Sequence, residues 1–561
     1  MPPDKMPNQR SPEPHSMDAV ATLANKTNSS ASSAAAQRDS RRQLVVIAGL
    51  IFLSAFGVRL LVWQNKHTEV TLVQTRVAAR YKHFAGLLLH NGLASFVDPS
   101  STTINPDLPG HPLAELLAHP PAALLDHPPA YLGHPPAYLL DHPPADLLNH
   151  PPAALLVHPP AYLLGHPATD LLGHPPAYLR GYPPTDLLDD PPADLLGHPP
   201  GYSILLALIY RLASEKDLPV QLFQMICDSL AAVMIFLIAI QLLPFSVGVI
   251  AGCMAAFAPQ FSWNSILLLP DTLASLPVLI AIYLITCALQ RPRWPSVLAA
   301  GALIGVSCWF RANALLMAPF LAMVMPMFVS RGLRLKMGLA LIGGACLTIA
   351  PLTIRNAVVF GHFIPVSLGA GQTLLEGIAD YDETGSLGLS DTDMGLMMQE
   401  ARAHNRPEYA ITLFGSDAIQ RDRERLARGL ATIRAHPVWF LTVMIRRAGS
   451  MWRLERAPLI ASKNASGPVT TLAILVVGGI QKLFITAIVL PLVVAGLILL
   501  ALRRQGSVLA ILLAVPVYYF CVQSVLHTEY RYVLIIHYFL FVIAAVAIYW
   551  IVSWLRPRLA R

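Results

Sequence analysis

Apolar positions in this chain are gathered into uninterrupted runs. The clearest are 43–63, 219–243, 271–289, 507–526 and 533–555, each near the roughly 20 residues a helix needs to cross a hydrocarbon core. Basic residues collect in short segments flanking such runs, at Arg38/Arg41/Arg42, Arg291/Arg293, Arg331/Arg334/Lys336, Arg503/Arg504 and Arg556/Arg558/Arg561. Positive charge of that kind marks cytoplasmic loops. Placing every cluster on the cytoplasmic side predicts about ten spans, near 43–64, 219–243, 245–264, 271–289, 296–311, 313–329, 337–354, 480–502, 507–526 and 533–555. Both termini are then cytoplasmic, and the two large non-spanning segments, 65–218 and 355–479, lie on the outer, periplasmic side of a cell inner membrane. The first run is long and lacks a small-residue cleavage site, so it reads as a retained span and not a signal peptide. Residues 1–42, rich in Ser, Ala, Asn and Pro without apolar periodicity, read as a disordered cytoplasmic tail.

Composition agrees with a life in lipid: 54% of the 561 residues are hydrophobic and only 13% charged, against about 25% charged in soluble domains. The net charge of +7 follows from the flanking clusters and calls for no nucleic acid. All six cysteines fall in or beside apolar runs with no CxxC, as packing residues and not a disulfide or zinc framework. Between His111 and Gly197 runs a tandem repeat of about eight residues, HPPAxLLx, in about eleven copies; with His198 directly after it, ten of the 19 histidines belong to this array. A metal-binding array is one reading. A Pro-Pro pair in most copies forbids continuous helix and favours a polyproline-like or turn-rich insertion, and the histidines then follow from copying one unit. On that reading the insertion expanded within a single GHPPGY motif, and the last copy, Gly197–Tyr202, is the functional one.

With the repeat set aside, a series of short motifs stands in order along the chain: RLLVW (Arg59–Trp63), Tyr81 followed by Gly92 in a loop helix, GHPPGYSILLALIYRL (Gly197–Leu212), LLLPDTLA (Leu267–Ala274), WFRANALL (Trp309–Leu316), IRNAVVFGHF (Ile354–Phe363) and EYRYVLIIHY (Glu529–Tyr538). Their order and spacing resemble the membrane glycosyltransferases of the family 39 type, which include protein O-mannosyltransferases and the bacterial transferases that add aminoarabinose to lipid A. The resemblance implies an all-α polytopic GT-C-like bundle of about ten transmembrane helices, with juxtamembrane helices at the outer face and the Pro-rich repeat inserted in the first outer loop. It implies transfer of a sugar from a polyprenyl-phosphate donor, with inversion, to a protein, lipid or glycan acceptor. Such chemistry asks for an acid near the acceptor and cations near the departing phosphate. It needs no cofactor, a divalent metal being left open, and the absence of GxxxxGK and GxGxxG fits a donor already activated on lipid.

Polar residues at span ends are the candidates, because an ion at that depth is costly without a partner or a task. Asp271 opens a span where the family carries its second acid; a helix cap is the alternative. Arg311 and Arg531 stand where carrier-phosphate ligands are expected, against a snorkelling side chain for the first and a salt bridge to Glu529 for the second. Arg355, His198 and Tyr202 complete the set on the donor side. The first-loop acid expected near Val77 to Ala79 is missing, the chain reading Val-Ala-Ala there. Either Glu69 or Asp271 takes the role, or the geometry differs, or the protein is not catalytic and binds or transports lipid-linked sugar. In the second outer segment, Asp380–Glu383 with Asp391 and Asp393 reads as a solvated turn more than a calcium loop. Residues 436–454 read as an interfacial helix whose arginines face lipid phosphates.

Overall fold

Every element among the described residues of the computed structural model is helical, and those residues are 17–92, 96, 194–410, 412–415, 417–454, 457–460 and 467–559. The repeat up to Ala193 lies outside them. Contacts divide the chain at Ile51: the first unit ends within the first helix, and Phe52–Arg561 forms the second, to which all packing described below belongs.

Helix α1 (Met17–Asn91) is continuous for 75 residues. It takes in residues 17–42, expected to lack structure, whose sequence is rich in alanine, the best helix former. It also runs through the end of the first span, so Tyr81 sits on the same helix as the span and not on a separate loop helix. After the turn Asp194–Gly197 come α2 (Gly201–Leu212), α3 (Asp217–Leu242), α4 (Phe245–Phe257), α5 (Pro259–Ile266), α6 (Asp271–Gln290), α7 (Trp294–Phe310), α8 (Met317–Val324) and α9 (Arg334–Phe360). A smaller helical group follows, α10 (Ala370–Ala379), α11 (Asp393–His404), α12 (Ala418–Ala435) and α13 (Pro437–Ser450), and then α14 (Pro468–Gln481), α15 (Thr486–Leu502), α16 (Gly506–Gln523) and α17 (Leu534–Leu559).

Six helical stretches are long and apolar enough to cross a membrane, or up to eight if the bent pairs α4/α5 (49°) and α14/α15 (54°) each make one span. The chain is a multi-pass membrane protein. The difference from ten lies mainly in 296–329, where the expected spans are short: α7 has 17 residues, and Ala312–Met327 is broken into one eight-residue helix between two 3-10 turns. Within the bundle α7 and α9 approach closely through Gly301 and Gly344, where a Cβ would strike the backbone of Leu341 and Leu298 respectively. Small residues at such crossings let apolar helices pack where lipid supplies no hydrophobic drive. Outward positions on α9 such as Leu339, Leu347, Ile354 and Val358 are exposed apolar side chains, as lipid contact requires.

One buried ion pair ties the bundle together. Arg59, wholly buried, donates Nε to Asp228 Oδ2 at 2.6 Å and its Nη atoms to the carbonyls of Ala55, Ala255 and Ala256. Tyr538 on α17 donates to the other Asp228 oxygen at 2.6 Å. The RLLVW arginine is thereby accounted for as a staple between α1, α3, α17 and the end of α4.

The group α10–α12 is held by Glu400, which accepts from Arg421 (2.7 Å) and Arg425 (2.6 Å), and by a core of Leu375, Leu396, Met397, Leu413 and Phe414. Burial opposes ionisation of Glu400, but the two guanidinium groups hold its carboxyl below the usual range. Helix α13 exposes Val438, Leu441 and Ile445, while Arg447 turns inward to the carbonyls of Gly377 and Ser524 and lies 3.6 Å from Asp380. Of its arginines, then, Arg447 is an internal anchor, and Arg446 is exposed and 4.0 Å from Glu383.

Candidate active site

The segment Gly197–Tyr202 seats the last repeat copy into the fold. Leu196, just before it, is buried and accepts the amide of Leu368 at 2.6 Å. A Cβ on Gly201 would lie 2.5 Å from the Trp309 carbonyl oxygen, so only glycine permits the approach. His198 packs its ring at 5.5 Å from Tyr81 and 6.3 Å from Phe414, and Tyr202 meets Tyr81 edge-on at 5.0 Å. Burial first, then the positive charges of Arg80 and Arg311, push the His198 imidazole down to about 3. It is therefore neutral at physiological pH, a hydrogen-bonding group and not a cation.

Asp271 is the first residue of α6 and Pro270 its cap, with no capping bond from the Asp271 side chain. The carboxylate instead takes Arg311 in a two-point pair, Oδ1 to Nε at 2.8 Å and Oδ2 to Nη2 at 2.9 Å. Of the two contacts, that of Nη2 has hydrogen-bond geometry and that of Nε is an ion contact. Arg311 follows the end of α7 and lies over the Tyr532 ring, 4.5 Å from its centroid. Arg531 forms the same two-point arrangement with Glu529, at 2.5 and 2.8 Å, and retains a buried Nη1 without a partner. Asp271, Arg311, Arg531 and Arg80 all act electrostatically on Tyr81, whose phenol is pushed up chiefly by burial. The structure thus brings together Asp271, Arg311, Arg531, Glu529, His198 and Tyr202 around Tyr81.

Two expected residues stand apart. Glu69 is exposed and pairs with Lys66 at 2.7 Å; on the continuous α1 it lies twelve residues before Tyr81, or about 18 Å along the axis. Arg355 is buried between the rings of Phe96 and Phe360, with Nε on the Phe96 carbonyl and Nη1 on Asn356. Its contacts anchor the start of the first large segment to the end of α9.

The sequence reading missed Arg80, beside Tyr81, which makes no ion pair with a described residue. It also missed the buried carboxyl of Glu376. Glu376 on α10 and Asp393 at the start of α11 both accept from the Gln372 amide. Burial and the neighbouring Asp393 charge raise Glu376 well above the usual carboxylate range. Asp382 closes its turn through the amides of Ser386 and Leu387, and among the described residues no three of His, Cys, Asp and Glu are grouped as a metal site.

Residues 197–354, which carry His198, Tyr202, Asp271 and Arg311, match the family model of dolichyl-phosphate-mannose-protein mannosyltransferases. Over this stretch the chain is mannosyltransferase-like. The match bears out there the resemblance read from the motifs. No curated protein matches the chain. Among solved structures it is similar to the Archaeoglobus fulgidus oligosaccharyltransferase in complex with zinc and sulfate (16% identity, TM-score 0.38, covering 65% of this chain and 42% of that one). It is similar also to the oligosaccharyltransferase AglB of the same organism with an inhibitory peptide and a dolichol-phosphate (16% identity, TM-score 0.37, 65% and 44%). The chain spans less than half the length of these structures.

Proposed function

We propose that this protein is a GT-C-type glycosyltransferase that moves a sugar from a polyprenyl-phosphate carrier to an acceptor at the outer face of the membrane. The observation that carries the reading is the charge arrangement around Tyr81. Arg311 and Arg531 are each paired with one carboxylate, and Arg80 makes no ion pair with a described residue. A guanidinium of that kind suits a sugar phosphodiester, which carries one negative charge. As the sugar leaves, the carrier phosphate gains a second charge, and guanidinium groups fixed in place stabilise it without reorganising. Asp271, held at a helix start beside Arg311, is the carboxylate placed to orient or deprotonate the acceptor. Neutral His198 can donate or accept one hydrogen bond at the sugar, and the buried rings of Tyr81 and Tyr202 with the half-buried ring of Tyr532 keep water from competing.

The test is transfer by purified full-length protein in lipid nanodiscs, given radiolabelled polyprenyl-phosphate sugars and protein, lipid and glycan acceptors. Labelled product is expected, with Asp271→Asn reducing turnover by about 10²-fold or more, the usual contribution of a positioned acid or base. Glu69→Gln should stay near the unaltered protein. Absence of turnover with every donor, with donor still bound, would replace this reading with that of a binding or transport protein.

A further inference from the structure

Helix α3 carries a polar stripe, Gln221, Gln224 and Asp228, at i, i+3 and i+7, all buried inside an otherwise apolar span. Asp228 belongs to the Arg59 staple. The two glutamines face the break between α5 and α6. Gln224 Nε2 donates to the Leu267 carbonyl at 2.5 Å and reaches that of Ser265 at 3.5 Å; Gln221 Nε2 donates to the Ile266 carbonyl at 2.9 Å. These carbonyls lie at the end of α5 and in the turn that follows it, where the Leu267 carbonyl also accepts the amide of Leu269 at 2.8 Å, so the buried side-chain donors fix the place where the helix ends. The other end of each amide is also occupied. Gln224 Oε1 accepts from Tyr202 Oη at 2.7 Å, and Gln221 Oε1 accepts from Trp63 Nε1 at 2.9 Å. Because carbonyls only accept, Nε2 must face them, and the Tyr202 hydroxyl must then donate to Oε1. The hydroxyl of Tyr202 therefore fixes which way the Gln224 amide points.

We infer that Gln224, directed by Tyr202, is a positioning residue for Asp271. The turn Leu267–Pro270 that delivers Asp271 has no side-chain cap of its own. Its preceding carbonyls are held by α3, and α3 is in turn keyed to the segment that presents His198. Gln224 joins the segment that presents His198 to the turn that delivers Asp271, and Gln221 braces the same turn against α1 through Trp63, so Asp271 keeps its pair with Arg311 at a fixed place relative to His198. The inference rests on the transferase reading above.

Tyr202→Phe and Gln224→Leu, singly and together in the full chain, test it. Turnover and donor KM are measured alongside hydrogen exchange of Leu268–Ala274. Each single change should lower kcat about ten- to hundredfold, the scale of a small misplacement of a reacting group, with donor KM moved less than about threefold. The double variant should be no worse than the poorer single one, since both changes break one connection. Exchange in Leu268–Ala274 should quicken in both, with that of α7 and α9 unchanged. Unaltered kcat in both variants of an active protein, or additive losses, would overturn the inference and leave the transferase reading standing. Should the unaltered protein transfer nothing, that reading falls, and exchange alone decides: no change at Leu268–Ala274 sinks the coupling as well. If Gln224→Leu does not fold, Tyr202→Phe, which removes one oxygen, decides by the same measurements.

Discussion

Adding one methyl group at Gly201 should separate two parts of the site that the fold presses together. The new Cβ would stand 2.5 Å from the Trp309 carbonyl oxygen, 2.8 Å from its carbonyl carbon and 2.9 Å from its Cβ. None of these atoms can be swung aside by a rotamer change. Ordinary contact requires the segments to part by about 1 Å. Trp309 is the less free of the two, since its indole donates to the Thr348 carbonyl at 2.8 Å and its helix is packed tightly on α9. The displaced part is therefore Pro199–Tyr202, with His198 just ahead of it. Overpacking of this size costs about 1–3 kcal/mol, and a shift near 1 Å at a reacting group costs about 10²-fold in rate. Gly201→Ala should thus lower Tm in detergent and lower turnover, whereas Leu208→Ala, at an exposed position of the same helix, should change neither. The two upstream stretches Gly133–Tyr138 and Gly173–Tyr178 differ from Gly197–Tyr202 only in carrying Ala137 and Ala177 in place of Gly201, so the same clash explains why the last copy fills the seat. A Gly201→Ala protein with unaltered Tm and turnover would refute the argument.

Arg59→Met alone should destabilise strongly, by about 3–5 kcal/mol, because it leaves Asp228 buried without its cation; Arg59→Met with Asp228→Leu should recover part of the loss in thermal unfolding. Deleting 111–193, joining Gly110 to Asp194, should leave expression and folding intact, while deleting 111–197 should cost stability by removing Leu196 and its bond to Leu368; equal behaviour of the two deletions would count against the seat. His527 is raised above its ordinary value by the Asp380 carboxylate 2.9 Å away, which outweighs burial. That pair's stability is full below about pH 6.5 and is lost as pH rises through the raised value. His198, pushed down to about 3, works the other way: its contribution is full above about pH 6.5 and is lost as pH falls toward 3. Unfolding followed against pH should show His527→Gln flattening the first limb and His198→Gln the second.

The long spans were legible because lipid demands unbroken apolar runs, and α3, α6, α9, α16 and α17 fall where those runs predict. Helix continuity was not legible. Gln64, Asn65 and Lys66 end the hydropathy of the first run without ending the helix, so Glu69 reads as nearer to Tyr81 along the sequence than it is in space. In 296–329 apolar content hid a break at Arg311–Asn313 that backbone geometry makes plain. Asp271, Arg311 and Arg531 stand out in the sequence as candidates by type and place; that Asp271 pairs with Arg311, forty positions away, needed the fold. Gln221 and Gln224 did leave a signal, a polar stripe on one face of an apolar helix, but one without the charge that marks an intramembrane residue as costly.

The staple between Arg59 and Asp228 also sets a schedule for biogenesis. Its partners are 169 positions apart in the chain, and a ribosome adding about 5–20 residues per second needs on the order of ten to thirty seconds to deliver the second after the first. During that interval the first span must rest in the membrane, or in the care of the insertion machinery, with an arginine that costs up to about 3 kcal/mol near mid-bilayer. Each added repeat copy lies between the two partners and lengthens the wait.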